Sequence, residues 1–174
     1  LMVSKMEKGE LQLRRKEVAL AQLLAQQLDP YFLQASAEDK QLELECPAEL
    51  DACLDPALTG RVVENLVSNA FKYTTRGGHI RVSAACENGT LLMSVRDDGE
   101  GIPDGFKEQI FGKYQQAPER EGRPLRKGTG LGLAFCRLAI EAHGGKIWVQ
   151  DAAGGGSDFR IELPRNATSE QLAQ

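Results

Sequence analysis

Three polar side chains recur at a spacing that places them on one side of a helix. Asn65, Asn69 and Tyr73 are four residues apart, so at about 100° per residue they fall within one narrow stripe of a helical surface. A carboxamide oxygen is a neutral hard ligand, which suits Mg²⁺ when phosphates supply most of the remaining ligands. An amphipathic helix with solvated asparagines would show the same stripe. The spacing therefore predicts a metal and phosphate site only if the rest of the chain completes it.

A second candidate group is the carboxylate of Asp97. The alternation from Leu91 to Val95 is typical of a strand, and a period of two carries Asp97 onto the apolar side. A carboxylate in apolar surroundings needs a partner to offset its desolvation. Asp98 has the opposite phase and is predicted to be exposed. Gly99 and Gly101 follow, where a backbone could approach a flat ligand closely.

A glycine-rich segment, Gly128 to Leu133, precedes a predicted helix over Ala134–Ala142. Unpaired amides and the positive end of a helix dipole form an anion site. The segment lacks the lysine of a P-loop, and no strand immediately precedes it. Residues 112–128 before it are either a mobile basic lid or a solvated loop. The basic residues of this stretch are Lys113, Arg120, Arg123, Arg126 and Lys127.

Composition limits the class of protein. At 174 residues with 41% hydrophobic content, the chain suits one domain with an appended segment. A net charge of -4 and a pI near 5.3 argue against nucleic acid as a partner. No apolar run approaches the ~20 residues of a membrane span, so nothing here is expected to cross a membrane, and no signal peptide is evident. The cysteines lack metal-site spacing and are expected to be buried thiols in a reducing cytosol: Cys46, Cys53, Cys86 and Cys136.

The elements that must position these groups follow from periodicity and turn residues. Asp55-Pro56 is typical of an N-cap followed by proline, and the helix it begins is predicted to reach Thr74. Asn88-Gly89 supplies the positive φ angles of a tight hairpin turn. Strands are predicted at Glu10–Arg14, Leu42–Cys46, Ile80–Cys86, Leu91–Val95, Lys146–Gln150 and Asp158–Leu163. Further helices are predicted from Glu17, with a kink or restart at Asp29-Pro30, and over Pro103–Phe111.

Taken in order, these stretches resemble the motifs of sensor histidine kinases. The matching segments are Glu64 to Thr74 for the N box, Asp97 to Pro103 for G1, Ile110 to Gly112 for F, Gly128 to Leu133 for G2, and His143 to Ile147 with Gly154 to Pro164 for the closing hairpin. The resemblance implies an α+β two-layer sandwich, the Bergerat ATP-binding fold, with a mixed sheet of about five strands on three main helices. Residues 10–164 would form this domain, after a stub of a dimerisation helix at 1–9 and before a disordered tail at 165–174.

The resemblance also implies a role for each motif residue. Asn69 would ligate Mg²⁺, Asn65 would lie near the ion and phosphates, and Lys72 would approach the phosphates. Tyr73 would lie against the purine, and Asp97 would accept the adenine amine. Gly99 and Gly101 would let the chain fold around the base, with Ile102 in the same ATP-binding set. The phosphates would be held by amides of Thr129, Gly130 and Leu131, and the ATP-binding set would also include Gly128, Gly132 and Leu133.

Two features depart from the family's pattern. The F box often continues with a proline and then a basic residue that reaches the γ-phosphate, whereas this chain has Lys113 and Gln116. Lys113 is thus one catalytic candidate beside Asn65 and Lys72, and the lid arginines are others. No acceptor histidine is evident, because His79 precedes a strand and His143 ends a helix, and both are expected to be structural.

The implied function is transfer of the γ-phosphoryl group of Mg-ATP to a histidine on a dimerisation hairpin absent from this chain. Partners would be that hairpin and the receiver domain of a response regulator, in a homodimeric full-length protein that is either soluble or membrane-anchored upstream; the present chain is expected to be monomeric. One alternative is an ATPase of the same fold. Such an enzyme carries a water-activating glutamate where Asn65 stands, and Glu64 is one residue away. The other is a regulatory module that binds nucleotide without kinase activity.

Overall fold

In a computed structural model, which describes residues 12–115 and 130–165, the Asn-Gly hairpin forms the centre of the main sheet. Strands β4 (His79–Glu87) and β5 (Thr90–Asp97) pair antiparallel around it. Asn88 and Gly89 have φ angles of 49° and 78°, the positive values of a type I′ turn. The predicted hairpin is therefore confirmed, and both strands extend beyond the expected ranges, to the 9 residues of β4 and the 8 residues of β5.

Five strands make up this sheet. Strand β2 (Gln41–Glu45) lies parallel to β4 at one edge, and β6 (Lys146–Asp151) forms the other edge beside β7 (Ser157–Pro164). The order is β2-β4-β5-β7-β6, and every pairing except that of β2 with β4 is antiparallel. The predicted mixed sheet of about five strands is confirmed, and so is the closing hairpin.

A smaller sheet corrects one prediction. It pairs β1 (Lys16–Ala19) with β3 (Asp51–Leu54), a strand that was not predicted. Residues 12–14 have no strand structure, so within the described residues the strand predicted over Glu10–Arg14 is wrong. Strand β1 is mostly exposed and carries one half-buried apolar residue, Val18. Pairing with β3, rather than an alternating hydrophobic pattern, therefore determines where it forms.

Helix α1 (Leu20–Glu38) is continuous through Pro30, so the predicted restart there is wrong. Proline removes the hydrogen bond to the carbonyl four residues earlier, which belongs to Gln26. Pro30 and Gln26 are both exposed, so water can satisfy that carbonyl. The helix ends at Asp39, whose φ of 52° is left-handed.

Helix α2 (Pro56–Tyr73) has the N-cap that its sequence predicts. The Asp55 carboxylate accepts hydrogen bonds from the backbone N–H groups of Ala57 and Leu58, at 3.0 and 3.1 Å. These bonds satisfy two of the N–H groups that a helix start leaves unpaired. The apolar face of α2 is buried against the sheet, which leaves the polar stripe at the edge of the core.

Helix α3 (Gly132–Ala142) packs beside α2 and runs antiparallel to it, as cross-contacts at both ends show. The single short helix expected over Pro103–Phe111 is instead two 3₁₀ turns, Asp104–Phe106 and Gln109–Phe111. Gly105, in the first turn, disfavours a longer helix. Three α-helices of the described residues thus cover one face of the sheet, which confirms the two-layer arrangement.

Candidate functional site

A cavity of about 330 Å³ opens between α2, the end of β5 and the start of α3. Its lining residues are Asn65, Ser68, Asn69, Lys72, Tyr73, Asp97, Glu100, Gly101, Ile102, Ile110, Gln115, Gly130, Gly132, Leu133, Ser157 and Phe159. The structure thus brings most of the residues predicted for a nucleotide site into one place. It does so from four separate segments of the chain.

Helix α2 contributes the whole predicted polar stripe, together with Lys72 and the unpredicted Ser68. The amide nitrogen of Asn65 donates to the backbone carbonyl of Arg61 at 2.9 Å, which fixes the orientation of the carboxamide. The ammonium group of Lys72 lies 5.2 Å from the centroid of the Tyr73 ring. The carboxamides of Asn65 and Asn69 therefore line one part of the cavity, and Lys72 is held close to Tyr73.

Asp97 is buried at the other end of the cavity, with 4% of its surface exposed. Its Oδ1 atom accepts hydrogen bonds from the N–H groups of Gly99, at 2.9 Å, and Ser157, at 3.3 Å. Burial raises the pKa of this carboxyl, and the charges of Asp98 and Asp158 add to that effect, while the two hydrogen bonds oppose it. Since both bonds go to Oδ1, the Oδ2 atom is the one that a ligand's donor can approach.

Glycines permit this tight arrangement around Asp97. Gly156 has a φ of 90°, and a Cβ atom there would lie 2.0 Å from the backbone oxygen of Asp97. Gly99 does not line the cavity, but a Cβ atom at that position would lie 2.7 Å from the backbone oxygen of Tyr73. Gly101 does line it and has a φ of 70°. Gly99 thus lets the chain pass close to α2, which is a different role from contact with a ligand.

The start of α3 lies against the polar stripe. A Cβ atom at Gly132 would be 2.9 Å from Oδ1 of Asn65, so this glycine allows the helix start to approach the carboxamide. The N-cap residue, Leu131, makes no side-chain capping bond and is not among the lining residues. The first amides of α3 and the positive end of its dipole are therefore directed at the region beside Asn65.

The segment of residues 112–128, for which a lid and a solvated loop are the alternatives, is described only in part. Gly128 and Thr129 lie outside the described residues, and so do Arg120, Arg123, Arg126 and Lys127. Lys113 is exposed and is not among the lining residues, whereas Gln115 is. Gly130 accepts a hydrogen bond from the backbone N–H of Tyr114 at 2.9 Å, which joins the two described ends of this region.

Several lining residues were not predicted. Ile110 and Phe159 belong to the hydrophobic core, and nothing in the sequence distinguishes a core side chain from one that also forms a cavity wall. Ser157 follows three glycines with positive φ, and that run was a signal of close backbone approach. Ser68, Glu100 and Gln115 are polar residues, and nothing in their spacing predicts that they line a cavity.

The two histidines lie apart from the cavity. His79 is exposed at the first residue of β4. His143 is buried, its Nδ1 atom is 2.7 Å from the carbonyl of Ala139, and its Nε2 atom accepts a hydrogen bond from the backbone N–H of Asp55. The structural role predicted for His143 is therefore confirmed.

Within residues 12–115 and 130–165, no helix has the length and hydrophobicity needed to cross a membrane. The same ranges hold no cluster of three or more His, Cys, Asp or Glu side chains suited to a metal. A magnesium ion bound through carboxamides and phosphates would not require such a cluster.

Residues 54–167 match the family described as histidine kinase-, DNA gyrase B- and HSP90-like ATPase. The chain is 36% identical over 166 residues to the sensor histidine kinase TmoS of Ectopseudomonas mendocina, and the match covers 95% of this chain and 17% of TmoS. The chain spans less than half the length of the first curated relatives that it matches.

Solved structures show the same architecture. The catalytic domain of the histidine kinase ThkA is 28% identical with a TM-score of 0.79, covering 88% of this chain and 99% of that domain. A structure of ThkA in complex with the response regulator protein TrrA is 26% identical with a TM-score of 0.76, covering 94% of this chain and 46% of that chain. The order and packing of elements described above are thus those of histidine kinase catalytic domains.

Proposed function

Because this chain belongs to the histidine kinase-, DNA gyrase B- and HSP90-like ATPase family, we propose that it binds ATP with Mg²⁺ and transfers the γ-phosphoryl group to a histidine on a separate dimerisation hairpin. The observation that supports the proposal most strongly is that the two ends of the cavity have different polar groups. A buried carboxylate, Asp97, lies at one end, and two carboxamides with the start of α3 lie at the other.

The end at Asp97 suits adenine. The exocyclic amine of adenine is a donor, and a carboxylate is an acceptor that forms a strong, charge-assisted hydrogen bond with it. Ile102, Ile110 and Phe159 supply apolar surface beside this carboxylate, which suits the faces of a planar base. The pKa of Asp97 is raised by burial, so an incoming donor also relieves part of the cost of its desolvation.

The opposite end suits phosphates and a metal. The amides at the start of α3 and the dipole of the helix favour negative charge, and Gly132 lets them approach Asn65. Asn69 would hold Mg²⁺ through its carboxamide oxygen, with Asn65 close to the same ion. Mg²⁺, when bound, would neutralise charge on the β- and γ-phosphates. Lys72 is the residue on α2 that adds a positive charge to the cavity.

The chemistry proposed is an in-line displacement. A nitrogen of the acceptor imidazole forms a bond to the γ-phosphorus, and the bond between that phosphorus and the β,γ-bridging oxygen breaks. ADP leaves with the electron pair, and the imidazole N–H proton passes to solvent. The residues of this chain contribute by positioning the triphosphate and stabilising its charge, which are the main sources of catalysis in phosphoryl transfer.

Asn65 favours transfer over hydrolysis. An ATPase needs a general base to activate water, and a carboxamide cannot accept a proton at neutral pH. Glu64 is exposed on α2 and does not line the cavity. The regulatory-module alternative would be favoured by loss of Asn69, Asp97 or the glycines before α3, and all are present.

The proposed partners are the dimerisation hairpin and a response regulator receiver domain. The hairpin would make the full-length protein a homodimer, whereas the present chain would be a monomer. The complex of ThkA with the response regulator TrrA supports the second partner, since the kinase in it has the same fold. The proposed location is the cytoplasm, where ATP is available.

A radiolabel-transfer assay tests the proposal. The chain is incubated with labelled ATP and Mg²⁺ alone, with a histidine kinase dimerisation hairpin, and with that hairpin carrying its acceptor histidine replaced. We expect acid-labile label only on the intact hairpin and negligible release of phosphate by the chain alone. Steady phosphate release without the hairpin would favour the ATPase. Binding of ATP without transfer would favour the regulatory module.

A further inference from the structure

The polar stripe of α2 continues one turn beyond the cavity, at Arg61. This arginine lies four residues before Asn65, so its Cα atom is about 6 Å further along the helix axis on nearly the same side. The hydrogen bond from the amide of Asn65 to the carbonyl of Arg61 links the two positions directly. Arg61 therefore extends the row of polar residues in the direction that leads away from Asp97.

Helix α3 holds the side chain of Arg61 at that end. The guanidinium carbon lies 4.5 Å from the centroid of the Phe135 ring, in a cation–π contact. Phe135 is the fourth residue of α3, and its backbone N–H donates to the carbonyl of Leu131, so it belongs to the first turn of that helix. The N–H donors of a guanidinium lie in its own plane, so contact with a ring and hydrogen bonding to an oxygen use different parts of the group. The cation is thus placed beside the same helix start that suits phosphates.

The described lining residues place little positive charge at the end of the cavity near the start of α3. Among the described residues that line it, Lys72 is the one cation, and its ammonium group lies near the Tyr73 ring. Asp97 and Glu100 place negative charge toward the base end. A nucleotide with its base at Asp97 would place its terminal phosphate further than its other phosphates from the base end, where the ammonium group of Lys72 lies beside the Tyr73 ring. This phosphate also carries the largest charge of the three.

We infer that Arg61 contacts the terminal phosphate of the bound nucleotide and stabilises its charge during transfer. The inference rests on the proposed function, because it requires a nucleoside triphosphate in this cavity. Arg61 would then distinguish a triphosphate from a diphosphate, since only the former extends to the first turn of α3. Neither the N-box resemblance nor the basic residues of the lid identify this position.

Nucleotide titrations of the 174-residue chain test the inference. The variants are Arg61→Gln, which removes the charge, and Arg61→Lys, which keeps it. The control is Arg81→Ala, because Arg81 is an exposed arginine of β4 that pairs with Glu43 at 3.0 Å and does not line the cavity. The ligands are ADP and a non-hydrolysable ATP analogue, both with Mg²⁺.

We expect Arg61→Gln to weaken binding of the ATP analogue about tenfold and to leave binding of ADP within about twofold, as loss of one charge-assisted hydrogen bond predicts. Arg61→Lys should recover part of the loss, and Arg81→Ala should bind both ligands like the wild type. Equal changes for the two nucleotides, or no change for either, would overturn the inference and assign Arg61 to packing on Phe135. A wild-type chain that binds neither nucleotide would overturn the proposed function itself.

Discussion

The backbone N–H of Asp55 donates a 3.0 Å hydrogen bond to Nε2 of His143, which joins the start of α2 to the end of α3. The side chain of Asp55 caps α2 and also accepts from the N–H of Arg14 at 2.9 Å. The Nδ1 atom of His143 lies 2.7 Å from the carbonyl of Ala139. A buried junction of two helices therefore depends on one neutral imidazole, whose Nε2 must act as an acceptor.

The stability of the fold should depend on pH through this histidine. Burial lowers the pKa of His143, and the charge of Arg15 adds to that effect, whereas the bond to Ala139 and the charge of Asp55 oppose it. A folded-state pKa below the unfolded value of about 6.5 means that its contribution to stability is fully present above pH ~6.5. The contribution is lost as pH falls toward the folded-state pKa, with a slope of at most ~1.4 kcal/mol per pH unit.

Urea unfolding at pH 8, 6 and 5 checks this prediction in the wild type and in His143→Gln. Glutamine can still accept from the N–H of Asp55 but does not titrate. The wild type should lose more stability than the variant between pH 8 and 5. The raised pKa of Asp97 makes a contribution to stability that changes with pH in the opposite sense. This contribution is the same in the wild type and in His143→Gln. A constant difference between the two proteins across this range would contradict the role given to His143.

Replacing Asp97 by asparagine should weaken ATP binding without harming the fold. The amide loses a charged acceptor for the adenine amine, worth ~1.5–3 kcal/mol, or about 10- to 150-fold in affinity. Its oxygen can still accept from Gly99, and the cost of burying a charge disappears, so thermal stability at pH 7 should not fall. Calorimetric titration measures the affinity, and Asp29→Asn, at an exposed position of α1 that does not line the cavity, is the control. Unchanged affinity in Asp97→Asn would remove this carboxylate from the base site.

Asn69→Ala should reduce the dependence of ATP binding on Mg²⁺ and leave adenosine binding nearly unchanged. In the proposed site the carboxamide oxygen of Asn69 would serve only the metal and phosphate end of the cavity. ATP titrations with and without Mg²⁺, together with adenosine titrations, provide the measurement, and adenosine serves as the internal control. Equal losses for ATP and adenosine would assign Asn69 to the structure of α2.

Much of the fold was predictable because strong local signals agree with the tertiary packing. Asp55-Pro56 satisfies unpaired amides at the start of α2, and Asn88-Gly89 supplies the positive φ angles of the central turn. The unpredicted part depends on non-local pairing. Strand β1 forms where β3 can pair with it, and neither has an alternating pattern long enough to detect. Pro30 is tolerated because its position on α1 faces solvent, which sequence alone does not determine.

The site was predictable where a residue's type conflicts with its local environment. Asp97 on an apolar strand face and carboxamides beside a buried seam are such conflicts, and both line the cavity. Lys113 was named because of its charge, yet it is exposed outside the lining. Charge in a loop without periodicity gives no direction for the side chain. Phe159 was not predicted, because an apolar residue on a buried strand fits its local environment and looks like any other core residue.

Gly132 offers a test of whether the approach of α3 to Asn65 matters for function. A Cβ atom there would lie 2.9 Å from Oδ1 and 3.5 Å from Cγ of Asn65, so Gly132→Ala forces the carboxamide to move. The backbone remains helical, and alanine is up to ~1 kcal/mol better than glycine inside a helix, so the fold should be as stable or slightly more stable. We expect ATP affinity to fall roughly three- to tenfold, as loss of one neutral hydrogen bond predicts, while adenosine affinity stays the same.

The matched control for this variant is Gly105→Ala. No atom lies within 4 Å of a Cβ built at Gly105, which is on a short 3₁₀ turn and is not among the lining residues. It makes the same chemical change and should leave ATP affinity unaltered, so any loss specific to Gly132→Ala reports the contact with Asn65. Calorimetric titration of both variants with Mg-ATP and with adenosine, together with thermal unfolding, separates the effects. If Gly132→Ala binds ATP as the wild type does, Asn65 has no part in holding the phosphates, and the metal site would have to rest on Asn69 alone.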